Sequence, residues 1–300
     1  MPELKRQPPP QPVERKSARD FLQAFLHAFV RFNRKNGAVM SSHVAMSMMM
    51  ALFPFILFVV SLAGIIYQDV PEDVLIELFF GYWPEDVAAP IVKEVHAVLA
   101  TANTRLLTVG GVLAIYFASN GVDAVRVALC RAYHDTDPRP FWETRAIAIG
   151  CVIVGAGALL LAVVLEIWNP LYTNMVTASV PGEISSWFSG VGPSWLAILS
   201  LPMLAVLVCH LVLPGRRHSF WQVLPGVAMT LALWAISGWA FSIYIARFAT
   251  YSATYAGLAG AMSALIFLYL MSVILILGAE FNGALLGVTD ADDDEEMSHA

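Results

Sequence analysis

The sequence predicts an all-α polytopic membrane protein: a bundle of six transmembrane helices, preceded by an amphipathic helix, with both termini in the cytoplasm. Three observations lead there. Of 300 residues, 58% are hydrophobic and 13% charged, whereas soluble domains carry about 25% charged residues. Several uncharged runs reach the length that crosses the ~30 Å hydrocarbon layer as one helix. The charges that exist are sorted to alternate connections between those runs. A transmembrane β-barrel would instead show ~10-residue alternating segments, and the sequence has none.

Residues 1–17 contain PPPQP and scattered basic residues and predict a disordered, basic, proline-rich tail. It lacks the closed apolar core and small-residue cleavage pattern of a signal peptide. Over 18–35, Phe21, Phe25, Phe29 and Phe32, with Leu22 and Leu26, recur at helical spacing, while Gln23, His27, Arg31 and Arg34 take the other side. Two settings suit this amphipathic helix, and both can hold together. It can lie in the headgroup plane with its basic residues toward anionic lipid, or pack on the cytoplasmic end of the bundle.

The membrane domain spans 36–286. Its expected spans are 44–66, interrupted by Pro54; 106–122, continuing as a polar helix through Tyr133; 146–168; 195–213; 221–245; and 256–279. Trp168, Trp195 and Trp221 fall at span ends, as interfacial anchors do. The connection 67–104 is acidic, with a surface helix expected over 85–102, and 169–193 reads as a loop. Residues 287–300 form an acidic tail expected to be disordered.

Lysine and arginine set the orientation. Fourteen of the seventeen lie in the N-terminal region, the second-to-third connection (Arg126, Arg131, Arg139, Arg145) and the fourth-to-fifth (Arg216, Arg217); only Lys93, Arg105 and Arg247 lie on the other side. Both ends therefore face the cytoplasm, and the count of spans is even.

Ionisable and polar groups inside such a domain are the functional candidates, because hydrocarbon burial of a charge costs ~2.5–3.5 kcal/mol or more. Asn120, Asp123 and Arg126 end the second span, with Arg131 beyond them; His210 lies in the fourth; Glu280 and Asn282 close the sixth. These form a candidate polar path or ion-pair cluster. Glu280 at a helix C-terminus meets the negative end of the dipole, so it needs a cation, and Arg216, Arg217, Arg126 and Arg131 are on its side. Small residues at four-residue spacing, Ala253, Gly257 and Ala261, then Ala256, Gly260 and Ala264, predict a close-packing face. His43 and Glu166 read as structural or interfacial groups. His134, Asp135 and Asp137 read as a turn rather than a metal site, given Pro138 and Pro140. Cys130, Cys151 and Cys209 form no CxxC pair and imply neither a disulfide framework nor zinc. There is no nucleotide-binding glycine loop, HExxH or GxSxG. The expectation is a non-enzyme with no cofactor or metal. Membrane lipids are its expected partners, with a second copy or another envelope protein as further candidates; nucleic acid is not expected.

The order of motifs resembles the YihY/BrkB family of bacterial inner-membrane proteins, some of which carry the label ribonuclease BN. The resemblance rests on ALFPF (51–55), Arg131-Ala132-Tyr133, Leu213-Pro214 followed by Arg216, and Leu224-Pro225-Gly226 with Trp234 downstream. The most specific match is YAGLAG (255–260) leading to LGAEFN (277–282). Where family members often have a Tyr early in the first span and a Ser before its Pro, this chain has Ser47 and Ala51. The resemblance implies an inner-membrane protein with six spans. It further implies handling of lipids or other amphiphiles without ATP, with a membrane scaffold as the alternative. A membrane-embedded hydrolase fits poorly, because a nuclease needs a phosphate-binding, usually metal-bearing site.

Overall fold

The computed structural model describes residues 18–66, 104–133, 137–179, 193–252 and 256–287, with six further positions between 76 and 96. The expected tails and most of the acidic connection lie outside the described residues; within its expected surface helix, the five described positions, 88, 89, 92, 93 and 96, are helical. Seven helices make up the described part: α1 Ala18–Arg34, α2 Gly37–Ile66, α3 Thr104–Ala132, α4 Phe141–Ser179, α5 Pro193–Val212, α6 Phe220–Ser252 and α7 Ala256–Leu285.

The stretches Gly111–Ala132, Phe141–Ala162, Phe220–Tyr244 and Ala261–Leu285 are long and apolar enough to cross a membrane, and α2 and α5 add shorter apolar stretches, Gly37–Leu52 and Ser200–Val212. Thus four of the six expected spans meet that criterion among the described residues. The second runs unbroken through its polar extension to Ala132, as its pattern predicted. The third is longer than expected: α4 reaches Ser179, so the first part of the expected 169–193 loop is helical. No glycine interrupts the chain between Gly157 and Gly182, and Pro170 does not end the helix.

Contacts between neighbours close a ring: α2 with α3, α3 with α4, α4 with α5, α5 with α6, α6 with α7, and α7 back with α2. Side chains from the ends of α3, α5 and α7 and the start of α6 meet at one end of this ring. Met40 at the start of α2 touches Arg131 there, and Arg139, just before α4, touches the end of α5. The six long helices therefore alternate in direction. That same end carries α1, which packs chiefly on α7.

Local sequence explains how the helices begin and end. At the start of α6, Ser219 N–H donates to Gln222 Oε1 at 2.8 Å, the half of a capping box in which the side chain three residues on reaches back to the N-cap. Asn36, in a left-handed conformation with φ of 56°, makes the two-residue turn from α1 to α2. Gly287, with φ of 68°, closes α7, its N–H donating to Ala284 O at 3.2 Å.

Of the aromatic stripe of α1, only Phe32 is buried among the described residues. Ala24, Ala28, Arg31 and Phe32 are buried, while Phe21, Leu22, Phe25, Leu26, Phe29 and Val30 are exposed. Two alanines on adjacent turns permit close approach of the helix axis to the end of α7, which bulky phenylalanines would prevent.

Candidate functional site

The polar groups converge at the end of the ring where α1 lies. At its centre is Asn282, fully buried near the end of α7. Its Oδ1 accepts from Gly226 N–H at 2.7 Å, and its Nδ2 donates to Val223 O and to Tyr133 Oη, both at 2.9 Å. One amide thus ties α7 to α6 and to the end of α3. Tyr133 Oη in turn shares a hydrogen bond of 2.7 Å with His210 Nδ1. His210 is fully buried, and its Nε2 has no hydrogen-bond partner among the described residues. The His218 ring stacks on Tyr133 with centroids 4.4 Å apart.

Glycine makes the knot possible. A Cβ on Gly226 would overlap Gly278 O and the Asn282 amide; one on Gly278 would overlap the Thr230 hydroxyl. Two helices crossing through glycines bring their backbones close enough for a side-chain amide to reach a main-chain N–H. Thr230 Oγ1, one turn further along α6, is buried without a hydrogen-bond partner among the described residues.

Glu280, one turn from Asn282's end of the helix, is buried and pairs with Arg31 of α1, Nε to Oε2 at 3.5 Å. The expected cations for it were Arg126, Arg131, Arg216 and Arg217. Arg31, which α1 carries across the end of α7, was not among them. Arg131 is exposed, with its guanidinium 3.6 Å from Met40 Sδ.

Arg126 belongs to a second cluster. It donates from Nε to Asp123 Oδ1 at 2.8 Å, the one-turn pair the spacing predicted, and from Nη1 to Asp137 Oδ2 at 2.5 Å. Asp137 also accepts from Arg139 Nε at 2.7 Å, Nη2 at 2.9 Å and N–H at 3.1 Å. The Arg139 guanidinium beside it, with Arg126 adding to the effect, holds the Asp137 carboxyl at about 2, and Arg139 is raised in turn by Asp137. Arg139 also donates to Val212 O at 3.3 Å, Leu213 O at 2.7 Å and Pro214 O at 3.1 Å. A cation on the last carbonyls of α5 satisfies them and complements the helix dipole. Asp137 therefore holds in place the arginine that caps another helix.

Asn120 stands apart. Its Oδ1 accepts from Arg145 Nη1 at 2.6 Å, and the Arg145 guanidinium lies 4.8 Å from the centre of the Tyr116 ring. The structure thus places Asn120, Asp123 with Arg126, His210 with Asn282, and Glu280 in separate polar groups, pairing Asp123 with Arg126 and bringing Asn282 beside His210. His43 is exposed, and the Glu166 side chain is outside the described residues. Of the small-residue face, Ala264 is fully buried and Ala261 exposed, while Ala253 and the side-chain settings of Ala256, Gly257 and Gly260 fall outside the described residues. Among described glycines of α7, the close approaches are at Gly278 and at Gly283, which faces Ala132 O. Sequence reading gave no role to Tyr133, Gly226, Thr230, Gly278 or Arg139. The signal for most of them was present, since Arg131-Ala132-Tyr133, Leu224-Pro225-Gly226 and LGAEFN are the motifs that meet here. No group of three His, Cys, Asp or Glu side chains suited to a metal occurs among the described residues.

A ring of apolar helices, several able to cross a bilayer, with its polar groups gathered at one end, defines a polytopic helical membrane protein. The chain belongs to the virulence factor BrkB family, whose sequence profile matches residues 28–300. It is 27% identical over 266 residues to the putative ribonuclease-like protein YfkH of Bacillus subtilis, covering 86% of this chain and 93% of that one. It is 26% identical to a UPF0761 membrane protein of Kangiella koreensis, covering 86% of this chain but only 62% of that longer protein. A UPF0761 membrane protein of Pseudoalteromonas atlantica is 21% identical, covering 92% of this chain and 93% of that one. No solved structure matches the chain.

Proposed function

We propose that the protein handles lipids or other amphiphiles in the bacterial inner membrane without ATP, with six spans and the α1 end of the ring in the cytoplasm. The observation that carries this reading is the pair of buried polar atoms, His210 Nε2 and Thr230 Oγ1, that have no protein partner among the described residues. They lie beside a knot whose other polar groups are matched. Leaving a buried donor unmatched costs ~1–3 kcal/mol, and such groups in a native fold call for an occupant. A polar headgroup, moving along the seam of α6 and α7 while its chains stay in lipid, would supply one. The clustering of arginines at this end supports the cytoplasmic orientation.

Thr230→Val tests the path, because it removes the hydroxyl and keeps the shape. In proteoliposomes, wild-type protein is expected to redistribute labelled lipid faster than empty vesicles. Thr230→Val is expected to slow it without loss of thermal stability, and Glu280→Gln and Asp123→Asn report whether the neighbouring charges take part. Wild-type rates equal to empty vesicles would sink the reading.

A scaffold without transport is the second reading. The favouring observation is that Asp137, Arg139 and Asn282 are each consumed in contacts between helices. The word ribonuclease in the YfkH name describes that protein, and the absence of a recognisable nucleolytic motif in this sequence gives a hydrolytic reading little support.

A further inference from the structure

The exposed stripe of α1 points to a surface of contact. Phe21, Leu22, Phe25, Leu26, Phe29 and Val30 follow one another at one-, three- and four-residue steps along one side of the helix. Leu22, Leu26 and Val30 are 62%, 55% and 58% exposed. Leu22, Leu26, Phe29 and Val30 lie away from the side that packs, while Phe21 borders it and reaches Phe281. We infer that α1 is a leaflet-binding helix, its apolar stripe seated at the headgroup–acyl boundary of an anionic membrane surface.

Four features commit the stripe to lipid. First, α1 is held in place: Arg31 pairs with Glu280, the Phe21 ring lies 6.3 Å from that of Phe281, and the turn at Asn36 brings Gly37 against the Phe32 ring. Second, the stripe is continuous with lipid-type surface, because the start of α2 exposes Val39, Met46 and Met50. Third, it sits at the interfacial level. Trp142 and Trp221, 79% and 72% exposed, open α4 and α6 at the same end, as tryptophans at the membrane–water boundary do. Fourth, charge is complementary to anionic lipid. Arg34, Arg131, Arg216 and Arg217 are exposed here, whereas Asp123, Asp137 and Glu280 are held by arginines. A helix with an apolar stripe beside cationic residues lies in the interface plane and favours anionic leaflets.

The test uses the full chain in nanodiscs of phosphatidylcholine with phosphatidylglycerol. Cys130, Cys151 and Cys209 are replaced by Ala, and a spin label is attached through Leu26→Cys or, off the stripe, through His27→Cys. The expected result is a higher ratio of oxygen to nickel-chelate accessibility at 26 than at 27, falling at 26 when phosphatidylglycerol is withdrawn. Equal ratios at the two positions would overturn the proposal. A ratio at 26 that does not change with lipid charge would overturn the preference for anionic leaflets. Label–label broadening at 26 that disappears on dilution with unlabelled chain would overturn it in favour of a second copy covering the stripe. Should the cysteine-free chain fail to fold, a photoreactive benzoyl-phenylalanine at Leu26 of the otherwise unaltered protein gives the same decision. Lipid adducts support the proposal, and protein adducts without lipid refute it.

Discussion

Removing the Asn282 side chain offers a direct measure of what the polar knot contributes. Asn282→Ala deletes the bonds to Gly226 N–H, Val223 O and Tyr133 Oη. At the ~0.6 kcal/mol average of interhelical hydrogen bonds in membrane proteins, three such bonds are worth about 2 kcal/mol. The loss rises toward ~4 kcal/mol if polar groups of the buried knot stay unmatched after truncation. Tyr133 retains His210, so its hydroxyl is not stranded. At ~2–4 °C per kcal/mol for a chain of this size, the midpoint of thermal unfolding in detergent should fall by about 5–15 °C. Asn282→Asp sharpens the test, because a carboxylate still accepts from Gly226 but cannot donate to Val223 O or Tyr133. It should be at least as damaging as alanine. A midpoint within about 2 °C of wild type for either variant would refute the assigned bonding.

Gly226→Ala should cost about 1–3 kcal/mol through overpacking against Gly278 and Asn282, measurable as the same midpoint. Arg31→Met or Glu280→Gln alone should cost about 3–5 kcal/mol, and the double variant should recover much of that, because an apolar or neutral pair avoids a stranded buried charge; strict additivity would contradict a direct pair. Asp137, lowered from an ordinary 3.8 to about 2 by Arg139 and Arg126, stabilises the fold by about 2 kcal/mol above pH 4. Because the folded carboxyl has the lower value, that contribution is complete above the unfolded pKa and disappears as pH falls toward 2. Asp137→Asn should therefore be less stable at pH 7 and lose less between pH 4 and 2, a difference readable in unfolding midpoints across that range.

What the sequence disclosed and what it withheld divide along chain distance. Apolar runs located the long helices, and one-turn spacing located the Asp123–Arg126 pair, because both are local properties. The pairing of Arg31 with Glu280 and of Gly226 with Asn282 depends on how the helices are arranged, and no period within one helix encodes it. α1 shows the boundary clearly. Its spacing revealed which residues share a side, but the packing side was chosen by two alanines whose small size matters only against α7. The span of α4 was underestimated because the polar residues beyond Trp168 resemble a loop while remaining compatible with helix. The motifs LPG and LGAEFN were visible as words. Their physical content, two glycines crossing so that an asparagine can reach a backbone, required the two helices to be side by side.

The position of α7 in the ring has a consequence for assembly during synthesis. It follows the other long helices in chain order, yet it touches α1, α2, α3 and α6. Until it inserts, the ring has an open flank, Gly226 has nothing to fill the groove it leaves, and Tyr133 and His210 lack their asparagine. Nascent chains halted before Asn282 would thus present unmatched polar groups in the membrane, the kind of defect by which proteolytic surveillance separates unfinished bundles from completed ones.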